Sequence, residues 1–339
     1  MPFRRPSFVP AIALLPRRAV VTASLSGLAA AAILPSALAQ PAWPAGPIRI
    51  MAPFPPGGSV DSFARLLAPV LQQALGVPVV VENRSGAGGA LGTAAVARAA
   101  PDGQTWLLCF DTHATMRALN PDLGFDPRRD FTPVMLVATA PMILTTPNGR
   151  PFRSLGDVAA AAKARPETIT YGTIGVGSLA HLTMEVLQAR AGIRLVHVPY
   201  RGGSPLATAA AAGEVDLAIA SPIGLGGQVG VRLRLLAQSG ATRSAALPDL
   251  PTFAEAGVPD VVGNAFWGVL GPAGVPEPIL ARFHAALAEG LRDPGLRQRL
   301  VEGQGVDLVG STPAEFGAFL DRQIAQWGQV IREKAIRAE

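Results

Sequence analysis

The chain has 339 residues but a single cysteine, Cys109, two lysines among 29 basic residues, and four histidines. One cysteine excludes an intrachain disulfide. Cys109 lies in the apolar run 106–110 and reads as a small buried hydrophobe. His113, His181, His197 and His284 share no metal-ligand spacing with one another or with Cys109, and no H-E-x-x-H occurs, so no metal site is expected. A G-x-S-x-G elbow is missing, and no glycine-rich loop ends in Gly-Lys-Ser/Thr, which leaves neither an activated serine nor a nucleotide P-loop. The run Gly86-Ala87-Gly88-Gly89-Ala90-Leu91-Gly92 fails as a dinucleotide fingerprint, because Leu91 stands where the third glycine belongs. It reads as a structural turn or as part of a cleft wall. No cofactor is expected.

Acidic residues are absent before Asp61. Arg4, Arg5, Arg17 and Arg18 precede an apolar stretch over 19–34, and Ala37-Leu38-Ala39 supplies a small-residue cleavage site. This pattern predicts a secretory signal peptide over 1–39, too short to span a membrane and followed by no stop-transfer run. A membrane anchor is the competing reading, and Arg17-Arg18 is a faint trace of a twin-arginine signal. Without residues 1–39 the formal charge falls from +5 to +1. No basic stripe with interleaved aromatics remains, which argues against nucleic acid as a partner.

The remaining 300 residues exceed one comfortable core, and two lobes are expected. β-rich runs alternate with helix-periodic ones, the pattern of α/β architecture with mainly parallel sheets flanked by helices. Strands are expected at 48–52, 77–81, 105–110, 134–137, 142–145, 169–171, 195–198, 217–220, 233–237 and 265–271. After the first strand, Ser59 is placed to cap a helix presenting Phe63, Leu66, Leu67, Val70 and Leu71, which Pro69 should kink or shorten. Ser311-Thr312-Pro313-Ala314-Glu315 offers a capping residue, a helix-starting proline and a back-reaching glutamate. Phe316, Phe319, Leu320, Ile324, Trp327 and Ile331 then form a stripe read as core packing.

Two turns concentrate the chemistry: Pro53-Phe54-Pro55-Pro56-Gly57-Gly58-Ser59-Val60-Asp61 and Gly172-Thr173-Ile174-Gly175-Val176-Gly177-Ser178-Leu179-Ala180-His181. Each follows a strand and ends in a serine that opens a helix. Glycines let backbone N–H groups approach a ligand, and a helix start offers unpaired donors with partial positive charge. Such a pair, about a hundred residues apart, suits an anion held between two lobes. His181 falls in the first turn of its helix and either donates to that anion or packs locally. Asp61, a carboxylate beside an anion site, is better explained by capping its own helix. Asp111-Thr112-His113, just past the strand over 105–110, occupies the strand-end position where open α/β sheets bind ligands, with Thr112 the better contact and His113 the weaker. In Tyr200-Arg201-Gly202-Gly203-Ser204, Arg201 is either a bidentate partner for a carboxylate or a solvated loop residue.

These segments, with Val81-Glu82-Asn83-Arg84-Ser85-Gly86, Pro101-Asp102-Gly103, Val198-Pro199-Tyr200-Arg201-Gly202-Gly203, Gly213-Glu214-Val215-Asp216, Pro248-Asp249-Leu250-Pro251-Thr252 and 267–276, resemble the Bug-type receptors of tripartite tricarboxylate transporters across 45–335. The resemblance implies a periplasmic solute-binding protein with a two-lobed, type II periplasmic-binding fold joined by two crossover strands. The lobes would be 40–143 with 269–339, and 144–268, hinged near 142–145 and 266–271. It implies a small carboxylate as ligand, often held through waters, and delivery to an integral-membrane permease. The ligand-binding residues it implies are Phe54, Gly57, Gly58, Ser59 and Asp61 in one lobe and Thr173, Gly175, Gly177, Ser178 and His181 in the other; Thr112 and Tyr200 join them from the strand-end reading. The chain departs from the family pattern at Gln104 and Trp106, and in the glycine-rich stretch 221–230, which can reshape the distal end of the pocket. A monomer is expected. The competing functions are a receptor that informs a membrane sensor and an enzyme acting on a small carboxylic acid.

Overall fold

The structure is a computed structural model that describes residues 1–3 and 43–337. The chain divides into two units, Met1–Ala42 and Trp43–Glu339, and the second carries the architecture that follows. The signal peptide expected over 1–39 lies outside the described residues apart from its first three. Among the described residues, no helix is long and apolar enough to cross a membrane.

The first half of the unit begins β1 (Ile48–Ala52), α1 (Ser59–Leu75), β2 (Val79–Asn83), α2 (Ala90–Ala97), β3 (Thr105–Phe110), α3 (Met116–Leu119) and β4 (Phe131–Pro141). After Met142 alone, the chain enters β5 (Ile143–Pro147), α4 (Leu155–Ala164), β6 (Thr170–Thr173), α5 (Leu179–Ala191), β7 (Val196–Pro199), α6 (Gly203–Ala212), β8 (Leu217–Ala220), α7 (Pro222–Leu225) and β9 (Leu233–Gln238). It then returns through β10 (Asn264–Pro272), α8 (Glu277–Gly290), α9 (Pro294–Gln304), β11 (Asp307–Leu308) and α10 (Pro313–Glu333). The border placed at 268/269 therefore falls inside β10, which belongs wholly to the first sheet.

One sheet has the order β11-β4-β10-β3-β1-β2 and the other β7-β6-β8-β5-β9. Both are mixed rather than mainly parallel. The βα units give parallel pairs β1/β2, β1/β3, β6/β7 and β6/β8. The strands beside the crossings, β4 and β10 in one sheet and β5 and β9 in the other, pair antiparallel. A strand that enters from the other half reverses direction relative to the βα strands, so the crossings impose the mixture.

The buried stripes follow from the sequence pattern. Phe63, Leu67 and Leu71 of α1 are buried, and Phe63 stacks on Trp267 of β10 at 5.3 Å. This packing carries α1 unbroken through all 17 residues, Pro69 included, so the helix is not shortened as expected. Thr312, Pro313 and Glu315 form the anticipated capping box, and Phe316, Leu320, Trp327 and Ile331 are buried in the core as expected. Cys109 is buried, which pushes its thiol up to about 12. One continuous apolar cluster contains residues of both sheets, including Ile50, Val134, Leu144 and Ile219.

The two crossings meet at Ser239. Its N–H donates to Met142 O at 2.9 Å and its hydroxyl accepts from Met142 N–H at 2.8 Å. The same hydroxyl donates to Gly263 O, and Gly263 N–H donates to Ser239 O at 3.2 Å. Both passages of the chain are thus tied to one buried side chain.

Candidate functional site

A cleft lies beside this crossing and is lined from both halves. Phe54, Pro55, Gly58, Ser59, Val60 and Phe110 come from the first half, with Met142 between the sheets. Ile174, Ala180, Arg201–Pro205, Ala220, Ser221 and Gly224 come from the second. Ser204 Oγ bridges the two by donating to Gly57 O at 3.1 Å.

The cleft is ringed by helix starts. In α1 the first backbone bond runs from Ser62 N–H to Gly58 O at 2.9 Å, which leaves the Ser59 and Val60 N–H groups without a partner among the described residues. Gly58, extended at φ −79° and ψ 175°, is the N-cap, and no side chain caps the helix. Ser59, expected as the cap, is instead the first helical residue, and its hydroxyl has no partner among the described residues. In α5 the N-cap is Ser178, and Ala180 reaches the cleft. In α6 the N-cap is Gly202 at φ 118°, and Gly203 and Ser204 present the first turn. Three helices of eight or more residues thus point their positive ends at one space.

The glycine turns themselves are largely spoken for. Gly57 N–H donates to Asp61 Oδ2 at 2.9 Å, and Arg65 Nε meets both carboxylate oxygens at 3.0 Å. Burial pulls the Asp61 carboxyl up, but the hydrogen bonds from Arg65 and Gly57 outweigh it and hold it below the ordinary range. Asp61 therefore braces the turn before α1; it does not cap the helix, the role expected for it. In the second turn, Gly177 N–H donates to His181 Nδ1 at 3.1 Å and Gly175 N–H to Thr173 Oγ1 at 3.2 Å. Ser178 Oγ donates to Gly175 O at 2.7 Å and accepts from His181 N–H at 3.3 Å. Gly177, at φ +70°, has no room for a side chain, because a Cβ there would overlap the Leu119 methyls.

Of the twelve residues singled out from the sequence, Phe54, Gly58 and Ser59 line the cleft. Gly57 borders it through its carbonyl. Thr173, Gly175, Gly177, Ser178 and His181 form the wall behind it, represented in the lining by Ile174 and Ala180. Tyr200 does not line it; its N–H holds Thr173 O at 2.9 Å and its ring packs on Gly172. Thr112 does not line it; its carbonyl accepts from the Thr115 hydroxyl and N–H, each at 3.1 Å, while Phe110, two residues earlier, takes the strand-end position. Gly86–Gly92 stays outside the lining, with Gly89 packed behind Phe54. Ser204 and Ser221 are polar lining residues that sequence reasoning left out of the site, and Arg201, weighed there between a carboxylate partner and a solvated loop residue, lines it too. The strand–turn–helix pattern repeated at 196–204 and 217–222 was the available signal.

His181 has a second imidazole against it. His197 stacks on it at 4.0 Å and 8°, and His197 Nε2 lies 2.7 Å from Thr173 Oγ1. Burial lowers both rings, with Glu185 opposing for His181; His197 falls to about 3 through burial and the neighbouring His181. His113 is a core residue, its Nε2 2.8 Å from Pro127 O and its ring edge-on to Phe131. No group of three or more His, Cys, Asp or Glu among the described residues is arranged to hold a metal.

The chain resembles known proteins in sequence and in fold. The family model described as the tripartite tricarboxylate transporter family receptor matches residues 63–336. The chain belongs to that family. BugT of Bordetella pertussis is 36% identical over 294 residues, covering 86% of this chain and 90% of BugT. Among solved structures, R. palustris Rpa4515 with adipate superimposes with a TM-score of 0.83 at 31% identity, and covers 88% of this chain and 100% of its own. The periplasmic binding protein BugD gives 0.81 at 30% identity, with the same coverage. The chain is accordingly a solute-binding receptor of the Bug type, and its fold is the two-sheet periplasmic-binding architecture that the resemblance implied.

Proposed function

We propose that this receptor is exported to the periplasm, loses residues 1–39, and as a monomer closes two lobes on a small carboxylate that it hands to an integral-membrane permease. One lobe would hold β1–β4, β10 and β11, the other β5–β9, with the hinge at the crossings. The observation that carries the reading is the convergence of unpartnered helix-start N–H groups from both halves, with Arg201, on a single cleft. A hydrogen bond to a charged group contributes about 1.5–3 kcal/mol, and a helix end adds roughly 0.3–1 kcal/mol. Several of these, less ordering and desolvation, give micromolar binding, about −8 kcal/mol. Because donors come from both halves, the ligand favours the closed arrangement over the open one. The adipate in Rpa4515 supports a carboxylate as the ligand class.

The test is a thermal-shift and calorimetric screen of the protein lacking 1–39 against mono-, di- and tricarboxylates. At least one acid should raise the melting temperature and titrate with one site near micromolar Kd. Silence from every carboxylate at millimolar concentration would sink the reading.

A further inference from the structure

The second turn reaches the cleft at two places, Ile174 and Ala180. Both are flanked by residues that two histidines hold from behind. Ile174 lies between Thr173 and Gly175. His197 Nε2 is 2.7 Å from Thr173 Oγ1, and that oxygen accepts from Gly175 N–H and donates to Gly175 O, each at 3.2 Å. Ala180 directly precedes His181, whose Nδ1 accepts from Gly177 N–H at 3.1 Å. Gly175 and Gly177, at φ +136° and +70°, are where the turn bends, so the histidines grip it at its bends. Neither histidine lines the cleft itself.

The rings support one another. Tyr171 stacks on His197 at 5.0 Å and 24°, and His197 on His181 at 4.0 Å and 8°. Glu185 Oε1 accepts from Tyr171 OH at 3.2 Å and lies 3.8 Å from His181 Nε2. A backbone N–H can only donate, so His181 Nδ1 carries no proton here and the neutral ring keeps its proton on Nε2, toward Glu185. Burial favours that neutral form, with the Glu185 charge opposing. Of the other elements packed on α5, β8 (Leu217–Ala220) has no charged residue. From α3, Leu119 touches the turn while Arg117 is bonded away at Phe125 O. The long helix α10 meets α5 through the apolar cluster that holds Leu179 and Trp327.

We propose that His181 and His197 are positioning residues for the ligand: without touching it, they hold Gly175–Ser178 in the shape that presents Ile174 and the start of α5 to the cleft, and His181 does so only while its Nδ1 is unprotonated. The inference rests on the carboxylate-receptor reading and adds a pH-sensitive control to the same site. A proton on Nδ1 would set one N–H against another, leaving both without an acceptor in a buried place, and the turn would have to give. Binding needs the turn as it stands, so it favours the neutral ring, and affinity falls once acid protonates His181.

Calorimetry on the protein lacking 1–39 tests this, the probe being the tightest acid of the carboxylate screen, with adipate, benzoate and citrate included. At pH 7.5, His181→Asn, whose Oδ1 stands where Nδ1 was, should bind within about threefold of wild type, whereas His181→Leu should bind about tenfold more weakly or worse. His197→Phe, which keeps a stacked ring and removes the nitrogen at Thr173, should also weaken binding. Circular dichroism checks each fold. Asparagine does not titrate, so the affinity of His181→Asn relative to wild type should be level above about pH 6.5 and rise from there toward pH 4.5. The acid's own protonation is common to both proteins and cancels. Wild-type affinity in folded His181→Leu or His197→Phe would overturn the inference and leave the receptor standing. So would a His181→Asn as weak as His181→Leu, or parallel pH profiles for His181→Asn and wild type. If His181→Leu or His197→Phe does not fold, the pH comparison decides alone. Silence from every acid removes the receptor reading and this inference with it.

Discussion

Ser59 is where a backbone atom can be removed from the cleft without disturbing the helix that carries it. It is the first residue of α1, so its N–H has no intrahelical partner. Proline is well tolerated at that position, with φ already suited to the helix. The residue before it, Gly58, is extended at ψ 175°, as a residue preceding proline prefers. Ser59→Pro therefore deletes one donor and one hydroxyl, whereas Ser59→Ala deletes the hydroxyl alone. If the N–H meets a carboxylate, its loss removes about 1.5–3 kcal/mol, roughly ten- to a hundredfold in Kd. Calorimetry on the tightest-binding acid should show that loss for Ser59→Pro, a smaller one for Ser59→Ala, and unliganded melting temperatures close to wild type for both. Equal affinities for Ser59→Pro and wild type would remove this N–H from the site. The type of argument matters at this scale. That glycine and serine mark a donor-rich turn was legible in the chain. Which amides stay free was not, because Asp61 and His181 reach back over their own turns to take the Gly57 and Gly177 N–H groups.

At the scale of elements, strands bounded by turn residues were read to the residue, as at Ile48–Ala52, Thr105–Phe110 and Leu217–Ala220. The long strand β4 (Phe131–Pro141) was read only over 134–137, because Thr132, Pro133 and Thr139 interrupt its apolar pattern while the ladder to β10 continues past them. Antiparallel pairing at the crossings was invisible to local pattern altogether, being fixed by where the chain re-enters each sheet. The loop between β6 and α5 depends on a contact of the same long-range kind, the stack of His181 on His197. Its stability has a sign. A folded-state pKa below the ordinary value of about 6.5 means that the unfolded chain takes up protons first as pH falls. The contribution is therefore complete above about pH 6.5 and drains away as pH drops toward the folded values, which for His197 is about 3. Protonation of His181 at Nδ1 would also cost the acceptor for Gly177 N–H. Asp111, buried and pushed well above the usual carboxylate range, works in the opposite direction, as its burden is relieved in acid. Melting temperature should thus fall between pH 7 and pH 4.5, and the fall should be shallower in His197→Gln, the comparison that isolates the stack from Asp111. Identical slopes for the two proteins would mean that the imidazole pair carries none of the dependence.

For the molecule as a whole, the proposed closure on a ligand would have to act through the tie at Ser239. Its side chain is fully buried, and the backbone on both sides of the crossing is bonded to it: Met142 N–H and O, and Gly263 O and N–H. Ser239→Ala keeps the two bonds made by the Ser239 backbone and removes the two made by the hydroxyl. The Met142 N–H and the Gly263 carbonyl then each lose a partner in a buried place, at a cost of about 1–3 kcal/mol per group left unsatisfied. The fold should survive with a lower melting temperature, since the apolar cluster spanning both sheets is untouched. The effect on shape is the more telling readout. With the crossing loosened, the unliganded protein should populate open arrangements more, and small-angle scattering should register a larger radius of gyration than wild type. Saturating ligand, by contacting both halves, should bring the two proteins back to the same value. Apparent affinity should fall by the factor with which the closed population falls, because the measured Kd is the intrinsic one divided by the competent fraction. A variant that loses stability while its free and bound scattering both match wild type would show that Ser239 holds the strands together without governing their movement, and the pivot would then have to be sought elsewhere along 239–263.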